Sequence, residues 1–350
     1  MTRSRLGPMR DRGSLLMIAL SCLIVLVSGI ALGTGATGVP LARILSIITD
    51  HASVPAGDAL IILQVRLPRL LLGLLIGAAL ACSGALMQGL FRNPLADPGL
   101  VGVSAGAALA AGTTIVVGDA LLAPVMGPLP FTALPVGAFV GGLITTFGLY
   151  LVATRHGRTS VAMMLLAGVA FGALSGALMG FLSYLSDDRQ LRDLSFWSLG
   201  SLSGATWTKV AVATPLILPV LLGMPFLARG LNALSLGEAE AFHLGISVQR
   251  VKAVAILLVA IAVGASVACS GMIGFVGIVV PHVLRLTVGP DHRTLLPASA
   301  MLGAALLVAA DTVARTIAAP AELPIGILTA AFGAPFFLWL LLRRHGGIAL

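Results

Sequence analysis

Charge is what this sequence has least of. Asp, Glu, Lys and Arg together make up 10% of its 350 residues, where a soluble domain carries about a quarter. That excludes an ordinary wetted surface, and with it a separate soluble domain. Only two lysines occur, Lys209 and Lys252, and neither follows a glycine. No GxxxxGK[ST] phosphate loop is therefore present. Acidic residues are almost absent from the apolar runs, Asp311 near one end being the exception. An ion-coupled carrier usually keeps ionisable groups near the membrane midplane, so this scarcity counts against one. The three cysteines, Cys22, Cys82 and Cys269, each fall inside an apolar run. They read as small packing residues and not as a disulfide or metal framework. Six scattered histidines form no metal constellation with Cys or Glu. The net charge of +8 is spread singly through loops and makes no stripe, which argues against nucleic acid. Nothing resembles a catalytic centre, so the chain is expected not to be an enzyme.

What is present is apolar length. Hydrophobic residues reach 58% and mean hydropathy is +1.06. A spanning helix needs ~20 mostly apolar residues, and such runs lie near residues 14–32, 67–90, 99–117, 131–153, 161–185, 210–228, 251–270, 273–288, 295–312 and 324–342. Long continuous runs without dyad alternation exclude a transmembrane barrel. The expected fold is all-α: a single polytopic domain over 1–350 with about ten spanning helices. The first run exceeds a signal-peptide core and is expected to stay as an uncleaved helix, after a cytoplasmic N-terminus at 1–13. Placing that terminus in the cytoplasm puts fourteen of the twenty-one Lys and Arg residues inside. The positive-inside rule supports this orientation, with both termini cytoplasmic.

The chain also repeats itself. Gly77 to Pro94 reads GAALACSGALMQGLFRNP and Gly264 to Pro281 reads GASVACSGMIGFVGIVVP, sharing seven of eighteen residues. The copies begin in the second and seventh spans, which cross in opposite directions. An inverted-topology repeat is the transporter reading; chance matching in Gly/Ala-rich helices is the other.

Several motifs carry further weight. Gly168, Gly172, Gly176 and Gly180 lie along one helix face, and the pairs Gly73/Gly77, Gly102/Gly106 and Gly137/Gly141 repeat the spacing; such stripes let a second backbone approach closely. Arg66 and Arg69, in the run RLPR, and Arg315 stand outside, against the charge trend. They either snorkel or pair with a residue such as Asp311, or form a dock for an acidic soluble partner. Asn93-Pro94-Leu95-Ala96-Asp97-Pro98 follows the second span, where two prolines force an extended turn. Thr159 and Ser160 open the fifth span on the same side, as a helix cap at least. Residues 234–246 are too polar to span and too apolar for a linker. A cytoplasmic helix docking into another protein is one reading, and a membrane-surface helix the other.

Together these residues resemble the permease family of type II ATP-binding-cassette importers for iron-siderophores, haem and cobalamin. The resemblance runs from Val65 to Arg344. It rests on RLPR (66–69), SGALMQGLFRNPLADPGLVGVSAGA (83–107), SGMIGFVGIVVPH (270–282), GPDHRTLLP (289–297) and AELPIG (321–326). It implies a homodimer in the bacterial inner membrane, two copies of a separate ATPase that alone carries ATP and Mg, and a periplasmic binding protein. It implies no cofactor or metal on this chain. By the same resemblance Arg66, Arg69 and Arg315 dock the binding protein, and Asn93, Leu95, Thr159 and Ser160 form the cytoplasmic gate. Leu236, Gly237, Glu238, Glu240, Leu244 and Gly245 fall in the ATPase-coupling segment. DDRQLRDLSFWSLGSLSGA (187–205) and ARTIAAPAELPIG (314–326) look most like the haem branch, with siderophore and cobalamin as alternatives. An ion-coupled secondary transporter is the rival class.

Overall fold

A computed structural model describes residues 7–35, 56–126, 133–319 and 321–345. Arg3, Arg5 and Arg43, which enter the charge count, lie outside them. In lipid every backbone group must be satisfied internally, and the apolar runs accordingly become helices. Helix α1 is Gly7–Gly33. Ala56–Leu60 leads through a π-helical stretch, Ile61–Arg66, into Leu67–Leu90; together these make α2. Then follow α3 (Val103–Met126), α4 (Ala133–Ala153), α5 (Val161–Leu185), α6 (Asp188–Leu199) and α7 (Trp207–Gly223). A 3-10 turn, Met224–Leu227, joins α7 to α8 (Ala228–Leu236), and α9 is Glu238–His243. The remainder is α10 (Val248–Ser270), α11 (Val276–Val288), α12 (His292–Ile317) and α13 (Ile325–His345).

Among the described residues seven stretches are long and apolar enough to cross a membrane: those of α1, α2, α4, α5, α7 with α8, α10 and α12. Three shorter apolar helices, within α3, α11 and α13, bring the described residues to the expected ten. Alternating crossings put the start of α1, the α4–α5 turn, α8–α9 and the α11–α12 turn on one face, the N-terminal face. The α1 end, the start of α2, α6 and the α12–α13 turn lie on the opposite face.

Helix α2 is the axis of the fold, buried along almost all of Leu67–Leu90. It is packed by α12, α11, α10 and α7. The contact with α12 is set by glycine: a Cβ at Gly77 would overlap the Gly303 carbonyl, and one at Gly303 would overlap Gly77. Helices α3 and α4 close similarly through Gly106 and Gly141. On α5 only Gly168 is enclosed, beneath the Leu100 carbonyl; Gly172, Gly176 and Gly180 face open space.

The structure departs from expectation at the short helices. The runs 99–117 and 273–288 do not cross as plain spans. Helix α2 ends in a turn where the Asn93 N–H reaches the Gln88 carbonyl (3.2 Å) and Arg92 takes φ 48, the left-handed slot that glycine usually fills. The chain then turns back among the helices. Val103, the first residue of α3, packs against Gly142, eleven residues before the end of α4 at Ala153, or about 17 Å along that helix. Helix α11 has thirteen residues, about 20 Å, because Gly271 (φ 71) and Phe275 (φ 68) hold 271–275 out of helix. Each repeat is therefore a long helix, a break and a second helix, which has 24 residues in α3 and 13 in α11. The shared Ala-Cys-Ser-Gly lies inside α2 but at the end of α10, so the matching letters do not occupy matching helix positions. Helix α6 was not anticipated. It starts at a capping box in which Asp187 and Gln190 bond reciprocally.

Candidate functional site

The three outer arginines do come together, but their guanidinium groups point inward. Arg66 is 5% exposed and donates to the Leu32 carbonyl at 2.5 Å. Arg315 donates to the Ala31 carbonyl. Both carbonyls belong to the last turn of α1, where intrahelical donors run out, so two positive side chains complete that helix end. Arg69, 8% exposed, bonds Asp311 through Nε and Nη2 (each 2.9 Å) and Glu322 through Nη1 (2.8 Å). Asp311 also lies 3.9 Å from Arg315 Nε. The carboxylate that α12 offers to Arg315 at i,i+4 is thus mainly the partner of Arg69, and Glu322 is a member the sequence reading missed.

At the N-terminal face Asn93 and Ser160 are exposed, Leu95 is half-buried and Thr159 is buried. Asn93 Oδ1 accepts from the Leu95 N–H at 3.0 Å, so this side chain builds its own turn. Thr159 closes a hairpin of β1 (Thr154–Arg155) and β2 (Arg158–Thr159). The connecting pair His156 and Gly157 both have positive φ (50 and 71), as a two-residue hairpin turn requires. Ser160 then caps α5, its Oγ accepting from the Met163 N–H. The Thr159 hydroxyl is engaged with Thr154 (2.9 Å) and is buried in the hairpin.

The segment 234–246 is two pieces. Helix α8 ends at Leu236, and Gly237 (φ 139) turns the chain into α9. At that φ an L side chain is strained, which favours glycine; the Glu240 carboxylate that a Cβ would meet is the end of a flexible side chain. Ala241 is fully buried and anchors α9, while Leu236 (66%), Phe242 (71%) and Leu244 (63%) are exposed. Glu240 and Gly245 are exposed beside them. Glu238 forms an ion pair with Lys252 (2.7 Å), a lysine that composition had flagged only for its rarity.

Where the two helix breaks meet, a cavity of about 200 Å³ is lined by Asp97, Ser104, Met272, Phe275 and Gly277. Asp97 caps the 3-10 turn Pro98–Val101, accepting from the Gly99 N–H at 2.7 Å. Asp97 is thus a second acidic side chain among the helices, in addition to Asp311 and apart from it. Among the described residues no group of His, Cys, Asp and Glu could hold a metal ion.

The FecCD transport family profile matches residues 22–343. The hemin transport system permease protein HmuU of Yersinia pestis is 50% identical over 291 residues, covering 81% of this chain and 83% of that protein. A vitamin B12 import system permease protein, BtuC of Klebsiella pneumoniae, is 42% identical over 346 residues, covering 99% and 98%. A solved structure of an inward-facing metal-chelate type ABC transporter superposes with TM-score 0.82 at 33% identity, covering 94% of this chain and 99% of that one.

Proposed function

Because this chain belongs to the FecCD transport family, we propose that it is the membrane-spanning subunit of an importer driven by a separate ATPase, moving haem or a related iron chelate inward by alternating access. The N-terminal face is then cytoplasmic and the opposite face periplasmic, in a bacterial inner membrane. The observation that carries this reading is the presentation of α9. Phe242 and Leu244 on a piece anchored in the core by Ala241, and Leu236 at the adjoining end of α8, stand exposed together, which is the geometry of a surface offered to another protein.

A second copy is the expected neighbour of α5, whose Gly172, Gly176 and Gly180 leave room for a close backbone. Asn93, Leu95, Thr159 and Ser160 belong to the cytoplasmic closure of the dimer. The binding protein docks over Arg66, Arg69 and Arg315. On this reading the chain carries no cofactor; ATP and Mg act on the partner ATPase.

Haem is favoured by the 50% identity to a hemin permease. Cobalamin is the second reading, since a vitamin B12 permease matches nearly the whole chain. Reconstituting the chain with its ATPase and binding protein in proteoliposomes tests both. Uptake of haem should require ATP and survive a protonophore. Uptake that persists without ATP and collapses with the gradient would sink the importer reading, and cobalamin transported in preference to haem would replace the substrate.

A further inference from the structure

We propose that Lys252 is a positioning residue that links the ATPase-coupling piece to the gate hairpin as one mechanical unit; this rests on the coupling reading above. Lys252 lies near the start of α10 and is 2% exposed. Its ammonium donates to the Thr159 carbonyl (2.8 Å) and to both carboxylate oxygens of Glu238 (2.7 and 2.8 Å). Three donors are all an ammonium has, and here they reach two segments 79 positions apart in the sequence. Glu238 is the first residue of α9, and its side chain is 45% exposed, on the coupling surface itself.

The hairpin end is held from both sides. The Thr159 N–H donates to Gln249 Oε1 at 2.9 Å, while its carbonyl accepts from Lys252. Both holders belong to the first turns of α10. The next residue, Ser160, caps α5, so the start of α5 is fixed to α10 by two side chains that bond the Thr159 backbone. Helix α9, by contrast, is joined to α8 through Gly237 alone, at a φ of 139. Glycine there lets α9 tilt without dragging α8.

The chemistry then decides what moves with α9. Separating Glu238 from Lys252 would strand a buried ammonium, which is far costlier than moving the pair together. A push on α9 therefore passes through Glu238 to Lys252, and through Lys252 to the Thr159 carbonyl and the root of α5. Helix α5 has only 17% of its apolar window buried within the chain, so few contacts of its own chain oppose its following. A neutral side chain of equal length would fill the same space and keep α9 seated on Ala241, but would carry no such tie.

The test uses the full reconstituted complex of this chain with its ATPase and binding protein. Lys252→Met should still assemble and hydrolyse ATP, while haem taken up per ATP falls about tenfold or more, the loss expected when charged hydrogen bonds are removed. Lys252→Arg, which keeps the charge and donors but not the compact ammonium geometry, should retain more coupling than Lys252→Met. Coupling unchanged in Lys252→Met overturns the proposal. So does an equal loss of hydrolysis and uptake in both variants, which marks a purely structural lysine. Should Lys252→Met fail to insert, Gln249→Ala removes the other hairpin tie, and wild-type coupling there overturns the proposal as well. Failure of the underlying reading shows differently: the Leu236→Asp, Leu244→Asp double variant would still co-purify with the ATPase.

Discussion

Arg69 and Asp311 are 242 residues apart in the chain, yet they share a two-pronged ion pair, with Nε and Nη2 each 2.9 Å from a carboxylate oxygen. The pair is buried and ties α2 to α12 at the opposite face from the N-terminus. It is also where the proposed dock and the stability of the fold compete for the same guanidinium. Asp311→Asn leaves Arg69 underneutralised in a buried site, and loss of one partner there costs about 3 kcal/mol or more. A lowered melting temperature in detergent checks this.

Glu322 is the exposed branch of the same network, with its side chain 40% exposed and 2.8 Å from Arg69 Nη1. On the proposed docking reading it competes with an acidic residue of the binding protein for Arg69. Glu322→Gln should therefore tighten association with the binding protein by up to about fivefold at low salt, since an exposed pair is worth about 1 kcal/mol at most. The gain should shrink as salt rises. Unchanged or weaker association in titrations with the purified binding protein would place the dock elsewhere. Charge reversal at Arg69 is the poorer test, because it would set a third carboxylate against Asp311 and Glu322 and confound docking with folding.

These two residues also show what a linear reading can reach. Helix α5 was legible to the residue at 161–185, since a continuous apolar run between a Ser cap and polar Ser186 has one outcome in lipid. The outward arginines were legible as exceptions to the charge bias, and Asp311 as a partner four residues from Arg315, but not its pairing with Arg69 or the part of Glu322, because ion pairing across 242 residues depends on which helices become neighbours. The reentry of 91–102 was hidden for the same reason: its depth follows from Gly102, Gly106 and Gly141 letting α3 close on α4. Helix α6 was readable in principle from the Asp187-x-x-Gln190 box, although its residues are too polar to show as a spanning run.

The glycine contacts separate fold from assembly. Gly77→Ala places a Cβ on the Gly303 carbonyl, and overpacking of this kind costs about 1–3 kcal/mol. At Gly176 an added Cβ would meet nothing within 4 Å, so Gly176→Leu should leave the monomer's melting unchanged while dissociating the dimer. Thermal melts together with light scattering of detergent-corrected mass check both. A dimer unaffected by Gly176→Leu would exclude that face of α5 from the interface.

Acid should loosen the start of α12. Burial pushes the Asp291 carboxyl up, but the Arg293 N–H and Asn232 Nδ2 donate to it and the neighbouring Arg293 charge assists, holding it below the usual carboxylate range. A carboxyl depressed in the folded state contributes stability that is complete above its unfolded pKa of about 3.9 and is lost as pH falls through the folded value. Asp291→Asn should flatten the stability profile between about pH 5 and pH 3. An unchanged acid limb in the variant would assign that limb to other groups.

The coupling and gate readings predict one joint behaviour. Leu236→Asp with Leu244→Asp should abolish co-purification of the ATPase without preventing membrane insertion, since both side chains are already exposed. The gate is then probed at Leu95, because the structure disqualifies its neighbours as reporters. Thr159 is buried in its hairpin, Ser160 is needed as the cap of α5, and Asn93 holds the turn through its amide oxygen. Leu95 contributes only its backbone N–H to that turn, so Leu95→Cys keeps the local geometry. Replacing Cys22, Cys82 and Cys269 first removes competing thiols; the last two are buried, and serine there would bury new hydroxyls, so alanine is the better choice. An apolar constriction closes by contact and dewetting, with no charge to desolvate, and the two copies of position 95 must then approach within disulfide reach in the closed state. Crosslinking should be efficient in one nucleotide state and lost in the other, and a locked crosslink should stop uptake until reduced. If uptake continues through a fully linked dimer, the turn after α2 is a structural bend and the gate lies with the α5 hairpin alone.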